Sequence, residues 1–285
     1  MLNRQYQNFI GCESEFAHAE IIILGAPYDG TTSNRPGARF GSGAIRSESF
    51  GLETFSPYQN RDLSDRAIFD AGDLDLPFGE SKRAVDIVEN ASQTVFENDK
   101  RLLLLGGEHL VSLGSIRAAA QKYPGLHLIQ FDAHADIRED YLGARLSHAA
   151  VIRRCHDLLG DGRISQFGIR SGERAEFEWS ARGHTSLTRF GFTGLTALVD
   201  SLIARNAPVY LTLDLDVLDS SVLPGTGTPE AGGVSWQSLL DAMLDVFRAN
   251  VVAADIVELA PNLDSSGAST AAACKLVREA LLAFG

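Results

Sequence analysis

Clustered basic charge is scarce in this chain, and several classes of function go with it. Across 285 residues, 37 acidic side chains stand against 25 basic ones, a net charge of −12. Neutralising nucleic-acid phosphates needs grouped Lys and Arg, so the balance argues against nucleic acid as the main partner. It suits metal cations and a small cationic substrate. No apolar run approaches the roughly 20 residues of a membrane span. The opening Met1-Leu-Asn-Arg-Gln-Tyr-Gln-Asn lacks the basic and apolar regions of a secretory signal, so a cytoplasmic protein without a membrane partner is expected. Cysteine is sparse as well: Cys12, Cys155 and Cys274 are odd in number and form no C-x-x-C pair. That fits a reducing compartment and excludes a disulfide framework. Cys155 precedes His156, but helix neighbours point apart and no orienting acid stands nearby, so no thiol nucleophile is expected. The G-x-S-x-G elbow of serine hydrolases and the phosphate-loop fingerprints are also missing.

What is present is an alternation of short apolar runs and longer amphipathic stretches. Buried strands are expected at Ile21-Ile-Ile-Leu-Gly, Arg101–Gly106, Leu126–Phe131, Ile164–Ile169, Val209–Leu213 and Val251–Ile256. Helical patterns lie near residues 42–56, 81–99, 110–122, 147–158, 235–249 and 268–284. Continuous apolar strands separated by helices imply a mostly parallel sheet covered on both faces, a three-layer α/β/α fold. The alternation has no repeat, low-complexity tract or linker to interrupt it, so one domain is expected.

Polar residues fall where these strands end. Leu102–Leu105 runs into Gly106-Gly107-Glu108-His109, and Leu128–Phe131 runs into Asp132-Ala-His134-Ala-Asp136. Leu211–Leu213 runs into Asp214-Leu-Asp216, and Val251–Ile256 into Val257-Glu258. Open parallel sheets bind ligands beyond the carboxyl ends of their strands, so four such ends point to one shared site. On extended backbone, Asp132, His134 and Asp136 face one way, as do Asp214 and Asp216. A lone Asp at a strand end is usually a turn or cap residue. Five acids and imidazoles gathered together would repel and desolvate badly without cations. Two divalent ions resolve the conflict, and a donor set rich in oxygen with no thiolate favours Mn²⁺ over a structural zinc. Asp214-Leu-Asp-Val-Leu-Asp219 is not an EF-hand: it follows a strand and lacks the glycine at its sixth position.

Gly106-Gly-Glu-His109, Asp132-Ala-His-Ala-Asp136 and Asp214-Leu-Asp-Val-Leu-Asp219 resemble the three metal-binding signatures of the ureohydrolase (arginase/agmatinase) family. Ser33–Gly41 with Ile45-Arg46, Leu146-Ser-His148, Phe167–Gly172 and Gly225–Gly233 resemble its agmatinase branch, the compact bacterial agmatinases above all. The resemblance covers essentially the whole chain. It implies a single catalytic domain over residues 1–285 with the arginase/deacetylase-like fold. It implies two Mn²⁺ per subunit, one on His109, Asp132, Asp136 and Asp214, the other on Asp132, His134, Asp214 and Asp216, so that Asp132 and Asp214 bridge. Asp136 would relay a proton from the nucleophilic water to the departing amine. His148 would shuttle protons at the mouth, a role that suits a pKa near neutrality. Glu258 would grip the substrate guanidinium. The implied reaction is hydrolysis of agmatine to putrescine and urea, and relatives imply a homo-oligomer, a trimer or hexamer.

Departures from the family pattern bear on substrate choice. Ala135 and Ser220 stand where Thr and Pro are common in relatives, and neither is an expected ligand. Arginases usually place an Asn just after the D-x-H-x-D segment to bind a substrate carboxylate, whereas this chain has Ile137-Arg138-Glu139-Asp140. That favours agmatine, although Arg138 could itself pair with a carboxylate and so keep 4-guanidinobutyrate or arginine as alternatives, alongside guanidine. The metal-dependent deacetylases of this fold normally carry adjacent histidines, and no His-His pair occurs here. A non-catalytic metal-binding polyamine sensor is the remaining alternative, opposed by the completeness of the site. His18, His127, His156 and His184 match no signature and are expected to be structural or surface residues. Arg35–Arg39 is expected to support the rim or an oligomer contact, because two arginines beside a cationic substrate would repel it.

Overall fold

The computed structural model describes residues 7–285. Strand β1 (Ile21–Ala26) leads to helix α1 (Gly41–Glu48) and a short antiparallel pair, β2 (Phe55–Ser56) and β3 (Arg61–Asp62). There follow β4 (Ile68–Asp73), α2 (Ser81–Glu97), β5 (Arg101–Gly106), α3 (Ser112–Lys122), β6 (His127–Phe131) and α4 (Val151–Leu159). The chain continues through β7 (Ile164–Ile169), α5 (Arg174–Trp179), β8 (Ser186–Arg189), α6 (Leu195–Ala204) and β9 (Pro208–Asp214). It closes with α7 (Trp236–Val246), β10 (Asn250–Val257) and α8 (Ala268–Ala283). Eight strands form one sheet in the order β4-β1-β5-β10-β9-β6-β7-β8, and every pairing in it is parallel.

Strand alternation splits the apolar residues between two cores. Within β5, Leu103 and Leu105 join the core under α1, α6, α7 and α8, where Ile45, Val199, Leu240 and Val277 lie. Leu102 and Leu104 join the core under α2, α3 and α4, with Val88, Ile116 and Ile152. This is the expected three-layer arrangement. All four leucines are fully buried, so truncating any one to Ala costs about 2–5 kcal/mol. The helices follow their sequence periods: α2 buries Ala84, Val85, Val88, Ser92, Val95 and Phe96, and ends beside Asp99 at φ 54°.

Three helical patterns shift, and other elements of the fold lie outside the sequence patterning. The pattern at 42–56 gives helix only to Glu48, because a 3₁₀ turn at Ser49–Gly51 leads into extended Leu52; Ser49 Oγ donates to the Arg46 carbonyl at 2.7 Å and ties off that turn. The patterns at 110–122 and 147–158 begin as 3₁₀ turns at His109–Val111 and His148–Ala150. The edge strands β4 and β8 lack a continuous apolar run: β4 carries Asp70, Gly72 and Asp73, and β8 is largely solvated. Helices α5 and α6 also have no counterpart in the sequence patterning described above. Among the described residues no helix is long and apolar enough to cross a membrane.

The sheet order also positions the site. Strands β5, β10, β9 and β6, whose carboxyl ends carry the acids and histidines, are four consecutive neighbours at the centre of the sheet.

Candidate metal centre

The candidate ligands reach one place by two routes. His109 follows β5 at the start of a 3₁₀ turn, and Asp214 is the last residue of β9. Extended alternation, the expected device, stops short of the other acids. Strand β6 ends at Phe131, and Asp136 is delivered by left-handed backbone at φ 54°, its carbonyl accepting the Ile152 and Arg153 amides of α4. Asp216 sits in a 3₁₀ turn (Leu215–Val217) made by its own amide donating to Asp214 Oδ1 at 2.9 Å. Glu258, just past β10, is likewise left-handed at φ 65°. Strained positions of this kind persist where the surroundings enforce them. Gly107 has to be glycine: a Cβ there would overlap the Tyr28 backbone.

Two groups of ligand atoms result. Those of His109, Asp132 and Asp214 lie within 4.8 Å of one another, as do those of Asp132, His134 and Asp216. His109 Nδ1 is 3.1 Å from Asp132 Oδ2, 3.2 Å from Asp136 Oδ2 and 3.5 Å from Asp214 Oδ2. His134 Nδ1 is 2.9 Å from Asp216 Oδ2 and 3.6 Å from Asp132 Oδ1. Asp132 is common to both groups; Asp214 enters only the first, its Oδ1 being held by the Asp216 amide.

Further buried contacts hold these groups in place. Thr212 Oγ1 donates to Asp255 Oδ1 at 2.7 Å and lies 2.9 Å from His109 Nε2. That contact keeps the proton on Nε2 and turns Nδ1 to the carboxylates. Tyr210 adds a second donor to Asp255 at 2.8 Å. Behind Asp132 runs a chain in which Gln130 Nε2 donates to its Oδ2 (2.6 Å), Gln166 to Gln130 (2.7 Å) and Thr185 to Gln166 (2.8 Å). Thr212 and Gln130 are not among the residues expected from the sequence; their signal is a polar residue inside an otherwise apolar strand.

The electrostatics ask for a cation. Asp132, Asp136, Asp214, Asp216 and Glu258 are buried together, with no Lys or Arg paired to any of them among the described residues. His109 Nδ1 and Asp216 Oδ2 are buried and make no aligned hydrogen bond despite their close neighbours. The carboxyl of Asp214 is pushed well up, first by burial and then by Asp216 and Asp132. Burial and then Asp132 raise Asp136 to about 7; burial and then Glu108 raise Glu258 to about 8. Burial works against charge on His109 and His134, yet the adjoining carboxylates lift both well above the ordinary imidazole range. In the protein alone, protons compensate the charge that divalent cations would. The donor set fits such ions.

Beside these groups opens a cavity of about 240 Å³ lined by Asp136, Asp214, Asp216, His134 and Glu258, with Arg138, Tyr141, His148, Glu173 and Ser33 among its other walls. Glu258 Oε1 accepts the His109 amide at 2.7 Å, which occupies one of the two oxygens expected to face a substrate. His148 stands apart from the candidate ligands. Burial first, then His134, pushes its imidazole down to about 4, so the near-neutral value expected of it is not met. Its Nδ1 is 3.4 Å from Thr31 Oγ1, which also accepts the His148 amide (3.1 Å) and donates to Glu108 (2.6 Å). Glu108, wholly buried, takes the Thr31 amide as well. Arg138 is engaged: its Nη1 is 3.1 Å from Glu173, its Nε 3.6 Å from Glu176, and it lies 4.7 Å over the Tyr141 ring.

The remaining residues behave structurally. Arg35 donates to the Gly227 and Thr226 carbonyls, so it braces the Gly-rich rim loop. Asp219 caps the same loop by accepting from Gly232 and Gly233. Cys155 is fully buried with its thiol pushed far up by burial, and His156 turns to Asp161 instead.

The sequence model of the Arginase family matches residues 19–283. The chain belongs to that family, whose members are ureohydrolases, enzymes that hydrolyse amidino C–N bonds. Within it the likeness is to agmatinases. The agmatinase of Bacillus cereus is 46% identical over 279 residues, covering 97% of this chain and 96% of that one. The agmatinase of Bacillus subtilis is 44% identical with the same coverage. The solved structure of the agmatine ureohydrolase of Thermoplasma volcanium superimposes with a TM-score of 0.90 at 29% identity, covering 98% of this chain and 94% of that one.

Proposed function

We propose that this chain hydrolyses agmatine to putrescine and urea at a centre of two divalent ions, Mn²⁺ by preference. His109, Asp132, Asp136 and Asp214 would hold one ion and Asp132, His134, Asp214 and Asp216 the other; the oxygen-rich donors favour Mn²⁺ over zinc. When bound, the ion pair supplies activated water near neutral pH, which a resonance-stabilised guanidinium requires. The protein's own residues do the rest. Glu258 accepts a guanidinium N–H with the oxygen that His109 leaves free, and so orients the carbon for attack. Asp136 takes a proton from the attacking water and returns it to the amine nitrogen as the C–N bond breaks. One water is consumed, and one urea and one diamine leave. The second proton, released as urea becomes neutral, also ends on the amine, which leaves as an ammonium; His148, neutral at the cavity mouth between Thr31 and Ser33, passes it on.

The observation that carries the choice of substrate is Arg138. Its charge is taken up by Glu173 and Glu176, so among the described residues no free Lys or Arg in the cavity waits for a substrate carboxylate, while acids line it. A cationic tail is favoured there over an anionic one. Urea release measured across agmatine, 4-guanidinobutyrate, arginine and guanidine tests this. Agmatine should give the highest kcat/KM; a preference for either carboxylated compound would overturn the assignment.

A further inference from the structure

A second cluster of ligand-type side chains lies away from the cavity, at the far ends of the two helices whose beginnings line it. Helix α4 follows His148 and ends with His156 in its last turn. Helix α5 follows Glu173 and runs on into a π-type turn, Ser180–His184, that ends with His184. Between the two, Asp161 projects from the turn joining α4 to β7. Its Oδ1 is 2.7 Å from His156 Nε2 and 2.9 Å from His184 Nδ1, and the three ligand atoms lie within 4.8 Å of one another.

The convergence is built from three separate segments, and each is held. Gly160 and Gly162 flank Asp161 at φ 79° and 73°, left-handed positions that let the chain turn tightly around it. Gly183, at φ 94°, bends the π-type turn just before His184. Trp179 stacks on the His184 ring at 4.5 Å and meets the His156 ring edge-on at 4.7 Å, while Arg153 lies 4.2 Å over the indole. The imidazoles therefore have little freedom to swing away. Side-chain exposures of 16%, 32% and 66% for His156, His184 and Asp161 leave room for water to complete a coordination shell.

We propose that His156, His184 and Asp161 form a separate, non-catalytic site for a divalent transition metal of the zinc type. Two imidazoles and one carboxylate suit Zn²⁺, Ni²⁺ or Cu²⁺, whereas the oxygen-rich central groups suit harder ions. A metal here clips the end of α4 to the segment after α5. Both helices pack on the substrate cavity at their other ends: the Ile152 and Arg153 amides of α4 donate to the Asp136 carbonyl, and Glu176 of α5 accepts the Ile137 amide at 3.1 Å. The clip thus braces the walls of the cavity without touching the reacting atoms.

The test is a metal count, and the count itself does not depend on the substrate assigned above. Protein loaded with Mn²⁺ is dialysed against micromolar Zn²⁺, and both metals are then measured per chain. The wild type should gain one zinc while keeping its manganese. Asp161→Asn and His184→Phe should fail to gain it, with urea release in Mn²⁺ alone unchanged; Phe at 184 preserves the stack on Trp179, so loss of zinc there reports the missing nitrogen donor and not lost packing. Circular dichroism establishes that each variant is folded, and His156→Gln replaces any that is not. Zinc taken up equally by wild type and variants, zinc entering only as manganese leaves, or no zinc gained at all would each overturn the proposal and leave the three residues as a hydrogen-bonded surface cluster.

Discussion

Replacing Thr212 by Val removes one hydroxyl from a chain of contacts in which every member is buried. Thr212 Oγ1 spends its proton on Asp255 at 2.7 Å and is then only an acceptor, so the His109 nitrogen 2.9 Å away must carry a hydrogen. That leaves Nδ1 free to ligate a cation, its only useful state here. Valine matches threonine in shape, so no cavity opens; the change is chemical. His109 Nε2 loses its acceptor in a fully buried position, which costs about 1–3 kcal/mol of fold stability. Asp255 keeps Tyr210 at 2.8 Å and so is not stranded. Contacts of this type behind a metal ligand are worth about 10–100-fold in metal affinity, or roughly 1.4–2.7 kcal/mol. The assay is urea release by chelator-stripped protein titrated with Mn²⁺. The half-activating Mn²⁺ concentration should rise by about that 10–100-fold, while kcat at saturating Mn²⁺ stays near the wild-type value. Thr212→Ser should restore the wild-type curve. An unchanged half-activation point in Thr212→Val would refute the idea that Thr212 orients His109 for a metal.

Other outcomes follow from the same geometry. Asp136→Asn should fold as the wild type by circular dichroism yet lose about 10²–10⁴-fold in kcat, the usual worth of a placed acid–base group; near-full turnover would remove Asp136 from the proton path. Glu258→Gln should lower kcat/KM for agmatine by the equivalent of about 1.5–3 kcal/mol, the value of a hydrogen bond to a charged group, measured by steady-state urea release. The protein without metal should become less stable as pH rises. Glu258 and Asp136 titrate near 8 and 7 in the fold, well above ordinary carboxylates, and the two imidazoles are raised too. Groups raised by folding lend stability that is complete below their unfolded pKa and lost as pH climbs through the folded one. The Tm of chelated protein should therefore fall between about pH 5 and 8, and added Mn²⁺ should flatten that slope by replacing protons with cations; a Tm that climbs over this range without metal would contradict the charge reading. Thr31→Val should lower kcat without shifting the Mn²⁺ requirement, because it frees His148 but touches no candidate ligand; a shifted Mn²⁺ curve in the same titration would contradict it.

How much of this was legible in the sequence depends on how local the cause is. The central strands announce themselves as unbroken apolar runs, since a strand covered on both faces has no polar side to present. Strands β4 and β8 do not: Ser186 of the edge strand β8 meets solvent, while Asp70 of β4 is buried and is tolerated because Arg46 and the Phe9 amide compensate its charge. The candidate ligands are readable from type and position, but extended alternation explains only part of their convergence. Alternation along an extended strand carries neither Asp136, which turns in through positive φ, nor Asp216, which turns in through a 3₁₀ bend. Both are backbone solutions that the residue pattern alone does not encode. The supporting residues were hardest to see. Asp255 and Glu108 look like ordinary strand-end acids until the fold brings Thr212 and Thr31 to them from 43 and 77 residues away. Arg138 is the sharpest case: its charge was visible, and its engagement by Glu173 and Glu176 was not.

The central claim is that paired ions held at the ends of β5, β6 and β9 make this chain release urea from agmatine. Counting Mn²⁺ bound to chelator-stripped protein while urea release from agmatine is followed tests it most directly. The account predicts no urea from the stripped protein and full activity restored as the second Mn²⁺ per chain binds, with activity absent in His109→Ala and Asp216→Ala. Full urea release without added metal, or none at two bound Mn²⁺ per chain, would contradict it.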